Sequence, residues 1–135
     1  MNDQPLEVMP PHINALSVWF EIPVTDLDRA QAYYEAVLGI KMIRTTDPST
    51  PNDMIWFNDP QSPVASGHLY PGKPAGDGQG NTIHMLATDP LEDVMKRVEP
   101  AGGIIVSPII DIPAGRFVYT TDPDGNSVGF FNWKQ

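Results

Sequence analysis

Glu21, His68 and His84 are candidate residues, on predicted strands, for binding a divalent metal ion or moving a proton. Imidazole nitrogens and carboxylate oxygens are ordinary zinc ligands, and a carboxylate in an apolar strand is a candidate general base. The three residues lie on separate predicted strands and form no spaced motif. Three possibilities stay open: a metal site assembled by the fold, Glu21 acting as a metal-free base, or Glu21 as one half of an ion pair.

Other residues point to binding. Trp19 shares a strand face with Glu21 and provides either an aromatic wall for a ligand ring or packing at a seam. Arg116 begins a predicted strand and fits either a clamp for an anionic ligand or a salt bridge at the rim. Met85 fits packing or a soft binding surface. The sequence contains no Ser-His-Asp order, no G-x-S-x-G and no phosphate-binding loop.

Periodicity predicts the elements that hold these residues. Apolar and β-branched runs predict strands at 15–24, 40–45, 54–59, 64–70, 81–88, 104–109, 115–121 and 127–133. Helical spacing, an N-cap at Thr25 or Asp26 and a C-cap glycine at Gly39 predict a helix over 26–38. A second helix is predicted over 90–101. The segment "DPDGN" is a turn sequence between the last two strands, which predicts a β-hairpin.

The two halves of the chain repeat one another. Shifted by 64 residues, Leu27 falls on Leu91 and Gly39 on Gly103, while the Asp-Pro turns at 59 and 122 coincide at a shift of 63. Each half is predicted to be a β-α-β-β-β unit, and one unit alone leaves a sheet face uncovered.

The predicted fold class is therefore α+β, with two βαβββ modules that form a half-open curled mixed sheet. The modules are predicted at residues 15–70 and 82–133, within a single domain over 15–133. Residues 1–14 contain three prolines and no stable periodicity, and they are predicted to be a flexible N-terminal arm.

The strings "WFEIPVTDLDRAQAYYEAVLG" and "GRFVYTTDPDGNSVGFFN" resemble the opening and closing segments of a vicinal-oxygen-chelate module. This superfamily includes glyoxalase I, fosfomycin-resistance enzymes, extradiol dioxygenases and bleomycin-binding resistance proteins. The resemblance covers about residues 15–133. It implies a cup formed by the two curled modules, and a homodimer.

The resemblance also implies where metal ligands would lie, on the first and last strand of each module. The first-strand position falls on Trp19, and its repeat partner on Ile83. The last-strand position falls on Gly129, and its partner on Ser66 or Gly67. Because Trp19, Ile83 and Gly129 offer no metal ligand, we predict no cofactor. A divalent metal held by Glu21, His68 and His84 is the alternative, and it requires a one-residue slip of the strand that carries His84.

Composition limits the partners. The net charge is −9 over 135 residues, which argues against nucleic acid or an anionic membrane surface. The absence of cysteine fits a cytoplasmic protein. Two functions stay open. The first is a metal-free protein that binds a small apolar or aromatic molecule in the cup through Trp19, Ser66, His68, Ile83, Met85, Arg116 and Gly129. The second is a lyase, isomerase or dioxygenase that uses rearranged metal ligands, or Glu21 as a catalytic base.

Overall fold

A computed structural model of the chain describes residues 16–64 and 66–135; the predicted arm at 1–14 lies outside the described residues. The strands are β1 (Phe20–Val24), β2 (Ile43–Thr45), β3 (Met54–Trp56), β4 (Gly67–Pro71), β5 (Ile83–Leu86), β6 (Ile104–Ile105), β7 (Ile110–Ile112), β8 (Gly115–Thr121) and β9 (Ser127–Trp133). The helices are α1 (Leu27–Leu38) and α2 (Leu91–Ala101). Neither helix is long and apolar enough to cross a membrane, and the described residues contain no other.

The strands form two mixed sheets with the same topology. The first sheet has the order β1-β4-β3-β2, and the second has the order β5-β9-β8-β6 with β7 also paired to β8. In each sheet the first strand of the module runs parallel to the last, and the remaining pairs are antiparallel. The predicted α+β fold with two βαβββ modules in a curled mixed sheet is confirmed.

Helix α1 has the N-cap and the C-cap that the sequence predicts. The Asp26 carboxylate accepts a hydrogen bond from the Arg29 N–H at 3.1 Å, and Gly39 closes the helix in the left-handed region at φ 68°. Helix α2 ends at Gly102, with φ 112°, one residue before the glycine that the repeat predicted. No side chain of its N-cap residue bonds the first turn; instead the Asn132 side-chain oxygen accepts from the Leu91 N–H at 2.9 Å.

The strand predicted at 104–109 is limited to β6 at Ile104–Ile105, and a second short strand, β7, follows at Ile110–Ile112. Pro108 lies between β6 and β7 and has no N–H for a ladder hydrogen bond. The Ser107 hydroxyl accepts from the Tyr119 N–H at 2.9 Å instead, and the chain bends there. Strand β7 then pairs with the start of β8, with Ile112 opposite Gly115.

Both helices cover one side of the sheets, and the core lies between them. Strand residues that point to this side, such as Ile22, Leu69, Met85, Val118 and Phe130, are buried. Alternate residues point to the other side, which we call the open face. By strand register, the main side chains of the open face are Glu21, Ile43, Thr45, Met54, Trp56, His68, Tyr70, His84, Leu86, Phe117, Tyr119, Phe131 and Trp133.

The turn at 122–126, which we call the hairpin tip, joins the second module to the first. The Tyr34 hydroxyl donates to the buried Asp122 carboxylate at 2.7 Å, and Arg29 forms an ion pair with Asp124 at 2.8 Å. Burial, reinforced by the charge of Asp122, raises the pKa of Tyr34 well above its usual value. The predicted turn therefore also fastens the two modules together.

Candidate functional site

The open faces of the two sheets meet at a cleft between β1 and β5. The cleft has a volume of about 400 Å³ and is lined in part by Trp19, Ser66, Thr82, Ile83 and His84. The structure thus brings together three residues that the sequence named for binding, Trp19, Ser66 and Ile83. The indole of Trp19 is 56% exposed, so it is a wall of the cleft and not a part of the core.

The repeat partner of Trp19 is Thr82, and the prediction of Ile83 was wrong by one residue. Core residues Ile22 and Val24 of β1 correspond to Met85 and Ala87 of β5, which is a shift of 63. The helices start at Leu27 and Leu91, which is a shift of 64. The connection before α2 is therefore one residue longer than the connection before α1, so a shift taken from the helices misplaces the strand. The Ile83 side chain instead packs against the core.

The last-strand partner of Gly129 is His68, and the prediction of Ser66 or Gly67 was wrong. Ile22 lies opposite Leu69 in the first sheet, and Met85 lies opposite Phe130 in the second. Leu69 and Phe130 are therefore equivalent, and so are the residues that precede them. Gly67 points to the helix side beside Phe20, while Ser66 is exposed and lines the cleft.

These four positions do not fit a metal ion. Trp19 and Gly129 have no side-chain atom that can coordinate a metal ion. The Thr82 hydroxyl is 2.6 Å from the Ser127 hydroxyl. One imidazole, that of His68, is left, whereas a catalytic zinc-like site needs about three protein ligands. Glu21, His68 and His84 do not form a metal site either. Within residues 16–64 and 66–135, no three His, Asp or Glu residues are arranged to hold an ion.

The structure does bring Glu21 and His68 together. The Nε2 atom of His68 lies 3.2 Å from a carboxylate oxygen of Glu21, which is 61% exposed on the open face. His68 itself is 3% exposed, and its ring centroid lies 4.6 Å from that of Trp56 and 6.2 Å from that of Tyr70. Burial lowers the pKa of His68, and the nearby Glu21 only partly opposes this effect. The imidazole is therefore neutral at neutral pH.

Gly129 provides space for His84. The two residues lie opposite each other in adjacent strands, and a Cβ built on Gly129 would overlap the His84 imidazole. The ring centroid of His84 lies 5.1 Å from that of Phe117 and 5.7 Å from that of Tyr119. The sequence predicted His84 on the open face only through a slipped register. It is exposed on the open face, and Gly129 accommodates its ring there.

Two other predicted binding residues lie away from the open face. Met85 is 6% exposed and belongs to the core, as its packing interpretation required. Arg116 points to the helix side, where its guanidinium forms two 2.7 Å hydrogen bonds with the Glu92 carboxylate. This contact lowers the pKa of Glu92 to about 2. Arg116 is thus engaged in a salt bridge and is not placed to clamp a ligand in the cleft.

A larger cleft lies at the far end of the second sheet. It has a volume of about 970 Å³ and includes Leu86, Ile112, Arg116 and Trp133 beside the start of α2. It contains neither Trp19 nor the Glu21–His68 pair. The cleft between β1 and β5 is the one that coincides with the positions implied by the family.

The aromatic side chains of the open face were missed in the sequence analysis. Trp56 and Tyr70 accompany His68, and Phe117 and Tyr119 accompany His84. Their signal was present in the alternation of strand positions, because aromatic residues two apart in one strand share a face. Phe117 and Tyr119 in "RFVYT" illustrate the pattern.

Comparison with known proteins agrees with this fold. The model of the Glyoxalase/Bleomycin resistance protein/Dioxygenase superfamily matches residues 12–130, which is most of the chain. The chain therefore belongs to this superfamily, and the resemblance of its opening and closing segments is confirmed.

Curated relatives share part of their length with this chain. The putative glyoxylase CFP32 of Mycobacterium bovis is 30% identical over 117 residues, which are 84% of this chain and 44% of the relative. The protein of the same name from Mycobacterium tuberculosis gives the same values. The chain thus spans less than half the length of the curated relatives it matches.

Solved structures share the fold at low identity. A glyoxalase/bleomycin resistance protein from Albidiferax ferrireducens T118 has a TM-score of 0.65 at 22% identity, covering 89% of this chain and 100% of that one. TnmS3, an antibiotic binding protein from Streptomyces sp. CB03234, has a TM-score of 0.58 at 21% identity, with 89% and 97% covered. The fosfomycin resistance protein FosX from Mesorhizobium loti has a TM-score of 0.61 at 17% identity, with 90% and 93% covered.

Proposed function

We propose that this chain binds a planar aromatic small molecule on its open face, beside the cleft between β1 and β5, without a catalytic metal. The supporting observation is the grouping of aromatic rings on that face. One group surrounds His68 and the other surrounds His84, with centroid separations from 4.6 to 6.2 Å. Rings at such separations favour edge or offset contacts, each contributing about 0.5–1.5 kcal/mol beyond the burial of area.

The ligand positions support binding without a metal. In relatives that use a metal, the ion polarises oxygen atoms of the substrate. Here a tryptophan, a threonine and a glycine occupy three of the four corresponding positions, and they offer at most one hydroxyl. Among the similar structures, TnmS3 is described as an antibiotic binding protein, so the fold also occurs in a protein named for binding.

Titration with acridine, a neutral planar heterocycle at neutral pH, tests the proposal. Binding is followed by quenching of tryptophan fluorescence and by calorimetry. Tyr119→Ala removes one ring from the open face, and we expect its affinity to fall about fivefold to tenfold. Val64→Ala is the control, because Val64 is half exposed in the loop before β4 and lines neither cleft. Equal affinity for all three proteins, or no binding to any, contradicts the proposal.

The contact between Glu21 and His68 favours a second candidate, in which Glu21 abstracts a proton from carbon without a metal. The carboxylate is exposed to the open face, and general-base catalysis needs a base within hydrogen-bond reach of the substrate proton. Exchange of carbon-bound protons of dihydroxyacetone in D₂O, followed by NMR, tests it. Exchange catalysed by the wild type and lost in Glu21→Gln supports this candidate; equal rates with and without protein contradict it.

We also propose a cytoplasmic homodimer. Leu16, Ile104 and Val106 are each more than half exposed, and large apolar side chains in such numbers are typical of surfaces that a partner covers. The lack of cysteine suits a reducing compartment. The dimer is tested below by its mass in solution.

A further inference from the structure

The open face has a single carboxylate. Among the strand residues of this face in the described part of the chain, Glu21 is the only Asp, Glu, Lys or Arg. The two arginines on strands point to the helix side: Arg44 pairs with Asp28 and Asp53 at 2.8 Å, and Arg116 pairs with Glu92 at 2.7 Å. A ligand on the open face therefore meets aromatic rings and one carboxylate.

His68 leaves that carboxylate uncompensated. It is more than nine-tenths buried and neutral, so its Nε2 atom contributes a dipole and not a positive charge toward Glu21. The carboxylate of Glu21, 61% exposed, therefore presents its negative charge to the open face.

We infer that the molecule bound on the open face is an aromatic cation, and that Glu21 selects it over neutral and anionic aromatics of the same shape. The inference rests on the proposed function. A delocalised ring cation stacks on Trp56 or Tyr70 by cation–π attraction while its charge faces Glu21. An anion of the same shape meets the like charge of Glu21 and is repelled.

Three probes with one ring system test the inference: 9-aminoacridine as the cation, acridine as the neutral molecule and acridine-9-carboxylate as the anion. Calorimetry at neutral pH gives the three affinities. For the wild type we expect the cation to bind about fivefold to tenfold more tightly than acridine, and the anion to bind more weakly than acridine. Glu21→Gln keeps the shape of the side chain and removes its charge. We expect it to bring cation and neutral probe within about twofold of each other.

Glu99→Gln is the matched control, because it makes the same change in net charge at an exposed position of α2, on the opposite side of the sheets. It is expected to keep the wild-type order of affinities. Equal binding of all three probes to the wild type overturns the inference and leaves the proposed function intact. A preference for the cation that survives Glu21→Gln, or that Glu99→Gln removes equally, overturns the role of Glu21. Binding of none of the probes overturns the proposed function and the inference with it.

Discussion

The overlap between a Cβ at position 129 and the His84 ring makes a quantitative prediction. Gly129→Ala forces the imidazole of His84 away from its place on the open face. In a chain that already carries His84→Ala, the same substitution meets no ring. We therefore expect Gly129→Ala to be nearly neutral for folding in the wild type and stabilising in the His84→Ala background.

The magnitude follows from two opposing terms. Glycine inside a strand is less favourable than alanine by about 0.5–1 kcal/mol, because its backbone loses more freedom on folding. Displacing His84 removes its edge contacts with Phe117 and Tyr119, at 5.1 and 5.7 Å. Because the His84 ring is exposed, the two contacts are each at the low end of their range and together contribute about 0.5–1.5 kcal/mol. The two terms nearly cancel in the wild type. Only the first acts when His84 is absent, so the coupling between the two sites is about 0.5–1.5 kcal/mol.

Urea denaturation followed by far-ultraviolet circular dichroism measures the free energy of unfolding of the four proteins in this cycle. The control cycle pairs Gly129→Ala with Leu86→Ala, because Leu86 is the next open-face residue of β5, whereas the three atoms nearest to a Cβ at position 129 all belong to His84. Its coupling is expected to be near zero. If Gly129→Ala has the same effect with and without His84, to within about 0.3 kcal/mol, the glycine does not serve the histidine and the reasoning fails.

Further predictions concern the hairpin tip, metal ions and assembly. Tyr34→Phe removes a donor to the buried Asp122 carboxylate and should cost about 1–3 kcal/mol, lowering Tm by about 5 °C or more in thermal denaturation; an unchanged Tm contradicts this. Since the folded pKa of Tyr34 is raised, the wild type should keep this stability below about pH 10 and lose it as the pH rises further, and a flat profile between about pH 9 and 12 counts against it. Thermal shift with Ni²⁺, Zn²⁺, Mn²⁺ or Fe²⁺ should show no saturable rise in Tm; a rise that His68→Ala abolishes would restore the metal-dependent alternative. Light scattering should give twice the chain mass of 14.9 kDa, and a mass near 14.9 kDa excludes the homodimer.

The sequence predicted the modules and helices well because their signals are local. Capping by Asp26 and Gly39 depends on residues within one turn, and the structure has both caps. The Asp-Pro turns at 59 and 122 mark equivalent places in two copies of one unit. The predicted class and topology depend on the order of such signals and tolerate errors of one or two residues.

The site depends on register, where an error of one residue moves a side chain to the opposite face. The extra residue before α2 left the helices in phase and shifted β5, which placed Ile83 where Thr82 belongs. The alternating burial of residues along β5 in the structure reveals this one-residue shift, whereas the strand propensity of the sequence does not. Contacts between Glu21 and His68, on strands that lie 47 residues apart in the chain, likewise follow from sheet pairing and not from local pattern.

The hairpin tip has a consequence for biosynthesis. Tyr34 and Asp122 are separated by 88 residues, and Thr25 donates to Asp124 across 99. Until residues 122–124 have been synthesised and have left the ribosome, the first module has its own strands but lacks the carboxylates that satisfy Tyr34 and Arg29. Contacts so distant in sequence form late and slow the folding of a domain. Although the chain is built from two similar units, its first half is expected to depend on the hairpin tip of the second, so the halves would fold poorly as separately translated fragments.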